Sequence, residues 1–484
     1  MNLKQELMRN NSIVMGSGLV VAAISFVFNI VLARWLQPIE FGLYSLALTI
    51  VGIFIIFTNF GIGQTAIRYL AHYIEAGRYG SAKALLLQLL KYRVVLLVLI
   101  GFLLIFLPDS IAAIIFQKPE ATFIVFLSGF LLMIHSLEEF LQTILNGFKE
   151  FFGVSAMMII KKIGESIFAL SFVAAGWHVF GAVLGLFLAS ILSIFVSLRY
   201  FLKQKNVLQA RAQPFERESI ARFGVWASFL TIVVVLFTMS DQFLVSIFAD
   251  VEDIGFYRIA ITWTAAISTL FPVSATVLYP YFSGNKEAIR KRIFSNAIRY
   301  ASIFSFPLAF LLSAYSGSII ASFYGISYIS AASVLQILSL SAIPVLFSTI
   351  LFYYFSGVNE PGVPTKITGS ILVLHITLVI VLLSQFGIVG AAIGTVISRC
   401  VEALVMAFAA KKRHNLPFHP AIFLKPLLAI TIVYVLVLQL TITSIAELVL
   451  YGIGSLALYL GILYAFRGFS KNDFIIVWDI IRRR

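Results

Sequence analysis

The chain has 484 residues, of which 61% are hydrophobic and 12% charged, with a formal net charge of +14 and a single cysteine, Cys400. A soluble domain carries about 25% charged residues, so this chain has too little polar surface to cover itself in water. One cysteine excludes a disulfide framework and a cysteine-based metal site. The basic excess reads as the positive loops of a membrane protein rather than as a nucleic-acid surface.

The N-terminal MNLKQELMRNNS is polar, and the run after it is too long and badly flanked for a cleaved signal peptide, so it reads as a short cytoplasmic tail. Continuous runs rich in Leu, Ile and Phe follow, each near the ~20 residues that a spanning helix needs. They lack the alternation of β-barrel strands. The expected spans are 12–33, 41–62, 84–107, 121–146, 152–174, 179–201, 219–248, 254–280, 293–314, 330–356, 364–385, 388–410, 421–441 and 446–466. The piece 110–117 is too short to span and reads as an interfacial turn. The expected fold is therefore all-α and integral to the membrane, with about 14 transmembrane helices.

Lys and Arg fix the expected orientation. Alternate loops carry Arg68, Arg78, Lys83, Lys149, Lys203, Lys205, Arg211, Arg217, Lys286, Arg290, Lys291, Arg292, Lys411, Lys412, Arg413 and Lys471, and the tail adds Arg482, Arg483 and Arg484. The opposite loops hold little beyond Arg34 and Lys118, and the turn 250–253 is acidic. Under the positive-inside rule both termini are cytoplasmic, in a multi-pass protein of the cell membrane.

The sequence also repeats itself. FGLYSLALT (41–49) matches IGFYRIAIT (254–262), SIAAIIF (110–116) matches SIIASFY (318–324), NGFKE (146–150) matches SGVNE (356–360), and FGAVLG (180–185) matches VGAAIG (389–394). The separations are 213, 208, 210 and 209 residues. Six spans per unit make the repeat parallel, a known transporter plan. The expected division is an N-terminal six-helix lobe at 1–201, a basic linker at 202–218, a second six-helix lobe at 219–415, and two extra helices with a basic tail at 416–484.

Ionisable residues at bilayer depth cost about 2.5–3.5 kcal/mol and mark pathways or pairs. Glu138 stands 11 residues before the turn at Lys149 and Lys161 stands 12 after it, which gives them one depth and makes them candidate partners. Lys161 and Glu165 are a second candidate pair, at i, i+4. For the set Glu138, Glu139, Lys161, Lys162 and Glu165, a neutralised clamp and a cavity lining both stand as readings. Asp241 and Arg258 flank the turn at Asp250 by nine and eight residues, and read as an outer gate or a strut. Arg399, about eleven residues below the outer end of its span, suits an anionic head at mid-depth, with Glu402 as the partner that would neutralise it. Arg34 suits either the candidate head-binding set or snorkelling to the interface. The candidate cations are thus Arg399, Arg258, Lys161, Lys162 and Arg34, and the candidate carboxylates for an H⁺ or Na⁺ site are Glu138, Glu139, Glu165, Asp241 and Glu402. His135 and His375 read as lone imidazoles, for which a proton relay and the commoner packed or hydrogen-bonded histidine both stand. Pro272, Pro280, Pro307 and Pro344 fall in or at the ends of second-lobe helices, whereas Pro38, Pro108 and Pro119 fall in loops, so the second lobe is expected to bend more.

The segments NIVLARWLQPIEFGLYSLALT (29–49) and SDQFLVSIFADVEDIGFYRIAIT (240–262) resemble the openings of the two lobes in polysaccharide and lipid-linked oligosaccharide flippases. That superfamily also holds the lipid II flippases and the multidrug and toxin extruders. The likeness covers about residues 5–415. It implies two six-helix lobes around a cavity that opens alternately to each side, and a groove for a lipid tail beside the extra helix pair. The arginine-rich inner-helix set of the lipid II branch is missing here, and the multidrug branch usually has twelve helices. The resemblance therefore implies a monomeric carrier that moves a polyprenyl-pyrophosphate oligosaccharide outward among membrane lipids, coupled to H⁺ or Na⁺, without cofactor, metal or nucleic acid. A cation-coupled multidrug exporter and an integral-membrane glycan polymerase or ligase are the alternatives. Against an enzyme or an ATP-driven pump stand the short outer loops and the lack of DxD and GxxxxGK[ST] motifs.

Overall fold

The computed structural model describes residues 3–270, 278–279, 281–284, 286–440, 442 and 444–468. Pro272, Pro280, Lys471 and Arg482–Arg484, and part of the expected span 254–280, lie outside them. Every regular element among the described residues is helical. In chain order the main helices are α1 (Leu3–Asn59), α2 (Ile62–Glu75), α3 (Tyr79–Phe106), α4 (Thr122–Gly147), α5 (Phe151–Phe172), α6 (His178–Phe201), α7 (Arg217–Phe248), α8 (Val251–Leu270), α9 (Glu287–Ala314), α10 (Ala342–Gly357), α11 (Gly362–His414), α12 (Pro420–Val437) and α13 (Ile445–Ala465). The chain forms two compact units, Met1–Gly255 and Phe256–Arg484. Large apolar side chains stand far out on these helices, with Phe195 66% and Leu404 70% exposed. Lipid is the solvent that suits them.

Among the described residues, ten continuous helical runs are long and apolar enough to cross a membrane. Three of them, Ile13–Asn59, Phe151–Phe201 and Gly362–His414, are 47, 51 and 53 residues long, more than twice the ~20 needed. Each contains a residue that leaves helical backbone: Gln37 (φ 62), His178 (φ 49) and Gly387 (φ 61). The sequence places two spans in each of these runs. Pro38 explains the first break, because proline disfavours the α conformation in the residue before it. Pro38 stands directly after that break, between the two helices of the run. Pro307 lies inside α9, Pro426, which the sequence reading passed over, lies inside α12, and Pro344 lies in the first turn of α10.

Close approaches show how the chain doubles back at the other two breaks. A Cβ on Gly185 would stand 2.3 Å from the Ala169 nitrogen, and one on Gly153 would stand 2.9 Å from the Tyr200 ring. The contacts run in opposite chain directions, so α5 and α6 are an antiparallel hairpin. In α11 a Cβ on Gly390 would meet the Leu382 carbonyl oxygen at 1.9 Å, and one on Gly394 would meet Val379 at 3.0 Å. FGAVLG and VGAAIG each place two glycines four residues apart at these seams. Small residues at that spacing let helix backbones approach closely in a membrane.

The left-handed turn residues recur with the sequence motifs. Gln117 and Gly325, Lys149 and Asn359, and His178 and Gly387 all have positive φ, at separations of 208, 210 and 209 residues. The hydrogen bonds recur as well. Glu150 N donates to Leu145 O at 2.9 Å and Glu360 N to Phe355 O at 2.8 Å, the i−5 bond of a left-handed helix terminus. The Glu150 carboxylate accepts from Gln204 at 2.9 Å, and Glu360 pairs with Arg413 at 3.4 Å. In each unit, one carboxylate just past a turn holds the far end of the next hairpin.

The piece around 110–117 forms short helical turns rather than a span, at Pro108–Ser110, Ile111–Ile115 and Pro119–Ala121. Lys118 beside it is buried. Its ammonium donates to Phe116 O and Ser246 O at 3.0 Å and to Ile247 O at 3.3 Å, capping the last carbonyls of α7. Burial pushes its pKa down from the ordinary lysine value, against the pull of Glu120 and Asp250.

Candidate functional site

In Met1–Gly255, α4 supplies two carboxylates, Glu138 and Glu139, to cations and hydroxyls on its neighbours. Glu138 and Glu139 are adjacent, so the helix turns them about 100° apart, and they serve different neighbours. Glu139 Oε2 lies 2.5 Å from the Arg93 guanidinium of α3, and its Oε1 accepts from Asn59 of α1 at 2.8 Å. Arg93 is 1% exposed and also donates to the Ser136 hydroxyl and carbonyl at 2.8 and 2.9 Å. Ser136 donates onward to Thr58 at 3.1 Å. The guanidinium is thus buried and held by a half-buried carboxylate together with the hydroxyl and carbonyl of Ser136. The sequence reading passed over Arg93. The available signal was its position nine residues inside the span 84–107, which is deep for a snorkelling side chain.

Glu138 faces the other way, into the α5–α6 hairpin. Its Oε2 lies 2.6 Å from Lys161 Nζ and 3.0 Å from His135 Nδ1. Its Oε1 accepts from Ser193 of α6 at 2.9 Å. Equal depth on antiparallel neighbours brings Glu138 and Lys161 together as their spacing implies. The expected Lys161–Glu165 pair does not form. Lys162 takes that carboxylate instead, at 3.0 Å. Lys161 lies one residue and about 100° away around the helix, where Glu138 claims it. Tyr44 of α1 donates to Glu165 at 3.2 Å, and the Lys162 ammonium sits 4.3 Å from the centroid of the Phe28 ring, a cation–π distance. His135 is not a lone imidazole, since it contacts both Lys161 and Glu138.

Asp241 is buried in the same unit and accepts from the Gln242 backbone at 2.8 Å. Arg258 belongs to the other unit, and its pairing with Asp241 stays an expectation. Arg34 is exposed, with Gln37 donating to its carbonyl at 2.7 Å.

Within Phe256–Arg484 the buried charges lie on the second half of α11. Glu402 accepts from Thr368 at 2.7 Å. Arg399 approaches Glu402 at 3.5 Å, a looser pair than those of α4, and its side chain is 18% exposed. His375 is fully buried, with Nδ1 2.7 Å from the Ser398 hydroxyl. Two clefts open at the basic end of this unit. One, of about 490 Å³, is lined by Glu360, Lys366, Lys412 and Arg413 among others. The second, of about 400 Å³, is walled by Phe347, Phe418 and Phe423 with Lys411 beside them, and Phe408 lines both.

This arrangement can hold anions or exchange protons. Among the described residues, no three His, Cys, Asp or Glu side chains are grouped to hold a metal ion.

Three curated relatives align along most of the chain. An uncharacterized membrane protein of Methanocaldococcus jannaschii is 24% identical, with 82% of this chain and 82% of the relative covered. A probable low-salt glycan biosynthesis flippase, Agl15 of Haloferax volcanii, is 22% identical, covering 81% and 80%. A putative O-antigen transporter of Shigella flexneri is 25% identical, covering 78% and 90%. Among solved structures, the lipid II flippase MurJ in an inward closed conformation superposes with a TM-score of 0.75 at 17% identity, over 93% of this chain and 98% of that one. An inward-facing multidrug resistance transporter of the MATE family and MOP superfamily gives 0.67 at 16% identity, over 82% and 94%. At these identities the structures show a shared fold alone, all-helical and multi-pass. Residues 7–286 match the family described as polysaccharide biosynthesis protein, more than half of the chain, and the protein belongs to that family.

Proposed function

We propose that this protein flips a polyprenyl-pyrophosphate-linked oligosaccharide from the cytoplasmic to the outer leaflet of the cell membrane by alternating access. One observation carries the reading: a chain of the polysaccharide biosynthesis family has a MurJ-like transporter fold. The names of the Haloferax and Shigella relatives support the cargo class. The protein is then a carrier and not an enzyme, working as a monomer with both termini in the cytoplasm. It crosses the bilayer fourteen times as six, six and two helices. The breaks at Gln37, His178 and Gly387 support that count, since each divides a run too long for one crossing.

The tight pairing of Lys161 with Glu138 and of Lys162 with Glu165 supports a tethering role for those two cations. Arg399 and Arg258 are then the candidates for the pyrophosphate, since a guanidinium presents several donors to phosphate oxygens and the Arg399 side chain is 18% exposed. The neighbouring basic and apolar clefts of the second unit support an approach in which the head meets Lys366, Lys412 and Arg413 while the chain stays among Phe347, Phe418 and Phe423.

The test is reconstitution into liposomes with a fluorescent polyprenyl-pyrophosphate oligosaccharide and, separately, a cationic dye, each under an imposed ion gradient. The glycolipid should change leaflets and the dye should stay. Dye export without glycolipid movement would replace this reading with a multidrug exporter. Arg399→Ala, at equal membrane level, should slow glycolipid movement, and an unchanged rate would remove Arg399 from the cargo path.

A further inference from the structure

The hydrogen bonding of the cluster at His135 depends on where the imidazole carries its protons. His135 Nδ1 lies 2.9 Å from Lys161 Nζ and 3.0 Å from Glu138 Oε2, while Nζ and Oε2 are 2.6 Å apart. An ammonium only donates and a carboxylate only accepts. One ring nitrogen cannot accept from the first and donate to the second at once. With the imidazole neutral and its proton on Nε2, Nδ1 accepts from Lys161, which is shared with Glu138, and Nδ1 and Oε2 face each other as two acceptors. With the imidazolium, Nδ1–H donates to Glu138 and faces an ammonium, so Lys161 is pushed out. The two arrangements differ by one proton and by which group holds Oε2.

The surroundings isolate this switch. Ser193 of α6 donates to Oε1 of Glu138, the oxygen that neither Lys161 nor His135 contacts. Glu139, the neighbouring acid on α4, is turned away to Arg93 of α3 and Asn59 of α1. Lys162 of α5 is engaged by Glu165, which also accepts from Tyr44 of α1. The imidazole is the accessible member, with 36% of its side chain exposed against 5% for Glu138 and 17% for Lys161. The cation position on Glu138 is already filled by the Lys161 ammonium, which leaves a proton, not Na⁺, as the species to be exchanged.

We infer that His135, Glu138 and Lys161 form a proton-binding switch in which protonation of His135 transfers Glu138 from Lys161 to the imidazolium and frees α5 from α4 at that depth. The proton enters on Nδ1 and leaves from it, so the count closes over a cycle. That this switch drives transport rests on the flippase reading above.

Two measurements separate the two claims. In lipid nanodiscs with ¹⁵N-histidine, the full-length protein should show one imidazole signal that disappears in His135→Asn and titrates in the wild type. Its midpoint should rise in Lys161→Met, which removes a neighbouring positive charge, and fall in Glu138→Gln. Lys161→Arg keeps the charge and serves as the folded control, with a midpoint near the wild type. A midpoint indifferent to both substitutions would overturn the switch. In liposomes, an imposed pH gradient should speed glycolipid flipping in the wild type and not in His135→Asn, and a Na⁺ gradient should do nothing to either. Stimulation retained in His135→Asn would overturn the coupling role. Expected titrations with no flipping in the wild type would instead sink the flippase reading and leave the switch standing.

Discussion

Single residues in this protein act by what their removal leaves behind. Arg93 is 1% exposed and reaches Glu139 at 2.5 Å. Glu139→Gln would strand a buried guanidinium, and breaking one half of a buried pair costs about 3–5 kcal/mol. Arg93→Met together with Glu139→Gln removes both charges and should recover a large part of that loss. Thermal unfolding in detergent checks this; a loss in the double variant equal to the sum of the two single losses would show that the pair is not coupled. At the acidic turn, burial raises the Asp253 pKa above the ordinary aspartate value, and Asp250 adds to the rise. A raised acid pKa means that the folded state disfavours the carboxylate, so its cost is present at neutral pH and fades as pH falls through the folded value. Asp253→Asn should therefore raise Tm at pH 7 and do so less in acid. A gain that grows in acid would contradict the assignment.

At the scale of helices, the seams matter more than the spans. A Cβ on Gly390 would meet the Leu382 carbonyl oxygen at 1.9 Å, so the two halves of α11 must part to admit a side chain. Overpacking a core typically costs about 1–3 kcal/mol, and Gly390→Leu should cost at least that much in a melting experiment. Gly387→Ala has open space around it but a φ of 61. Its cost is backbone strain alone, about 1–3 kcal/mol. The sequence carried the places of these seams, because FGAVLG and VGAAIG recur 209 residues apart, and so do the breaks at His178 and Gly387. It also carried the depth match of Glu138 and Lys161, since depth needs only a residue count from the turn. Rotation about the helix axis was not legible in the same way. Lys161 and Lys162 are equivalent by depth, and only the positions of α1 and α4 decide that Glu165 takes Lys162 and Glu138 takes Lys161. Arg93 was lost for a related reason: its partner Glu139 is on the next helix, and only the rotation of α3 and α4 about their axes turns the two side chains together.

For the whole molecule, topology is the claim with the widest consequences. Lys and Arg are concentrated in alternate loops, and loops of one sign stay on the cytoplasmic side. Segment 202–218 and the loop at 284–287 should then face the cytoplasm, whereas the turns at Gln37, Lys118, 250–253 and Gly387 should face outward. Single cysteines make this testable, because Cys400 is the one thiol to remove beforehand. In a Cys400→Ser background, cysteines in place of Gln37, Glu252 or Gln385 should react with a membrane-impermeant maleimide added to intact cells. Cysteines in place of Gln209, Gly284 or Asn359 should react only after the membrane is opened. Gln37 and Gln385 are the informative pair, since each stands at or beside a break inside a single long helical run. If either run crosses once without turning back, its break lies within the bilayer or on the wrong side and the outward labelling fails. The count of fourteen, and the six, six and two division with it, would fall at the same time.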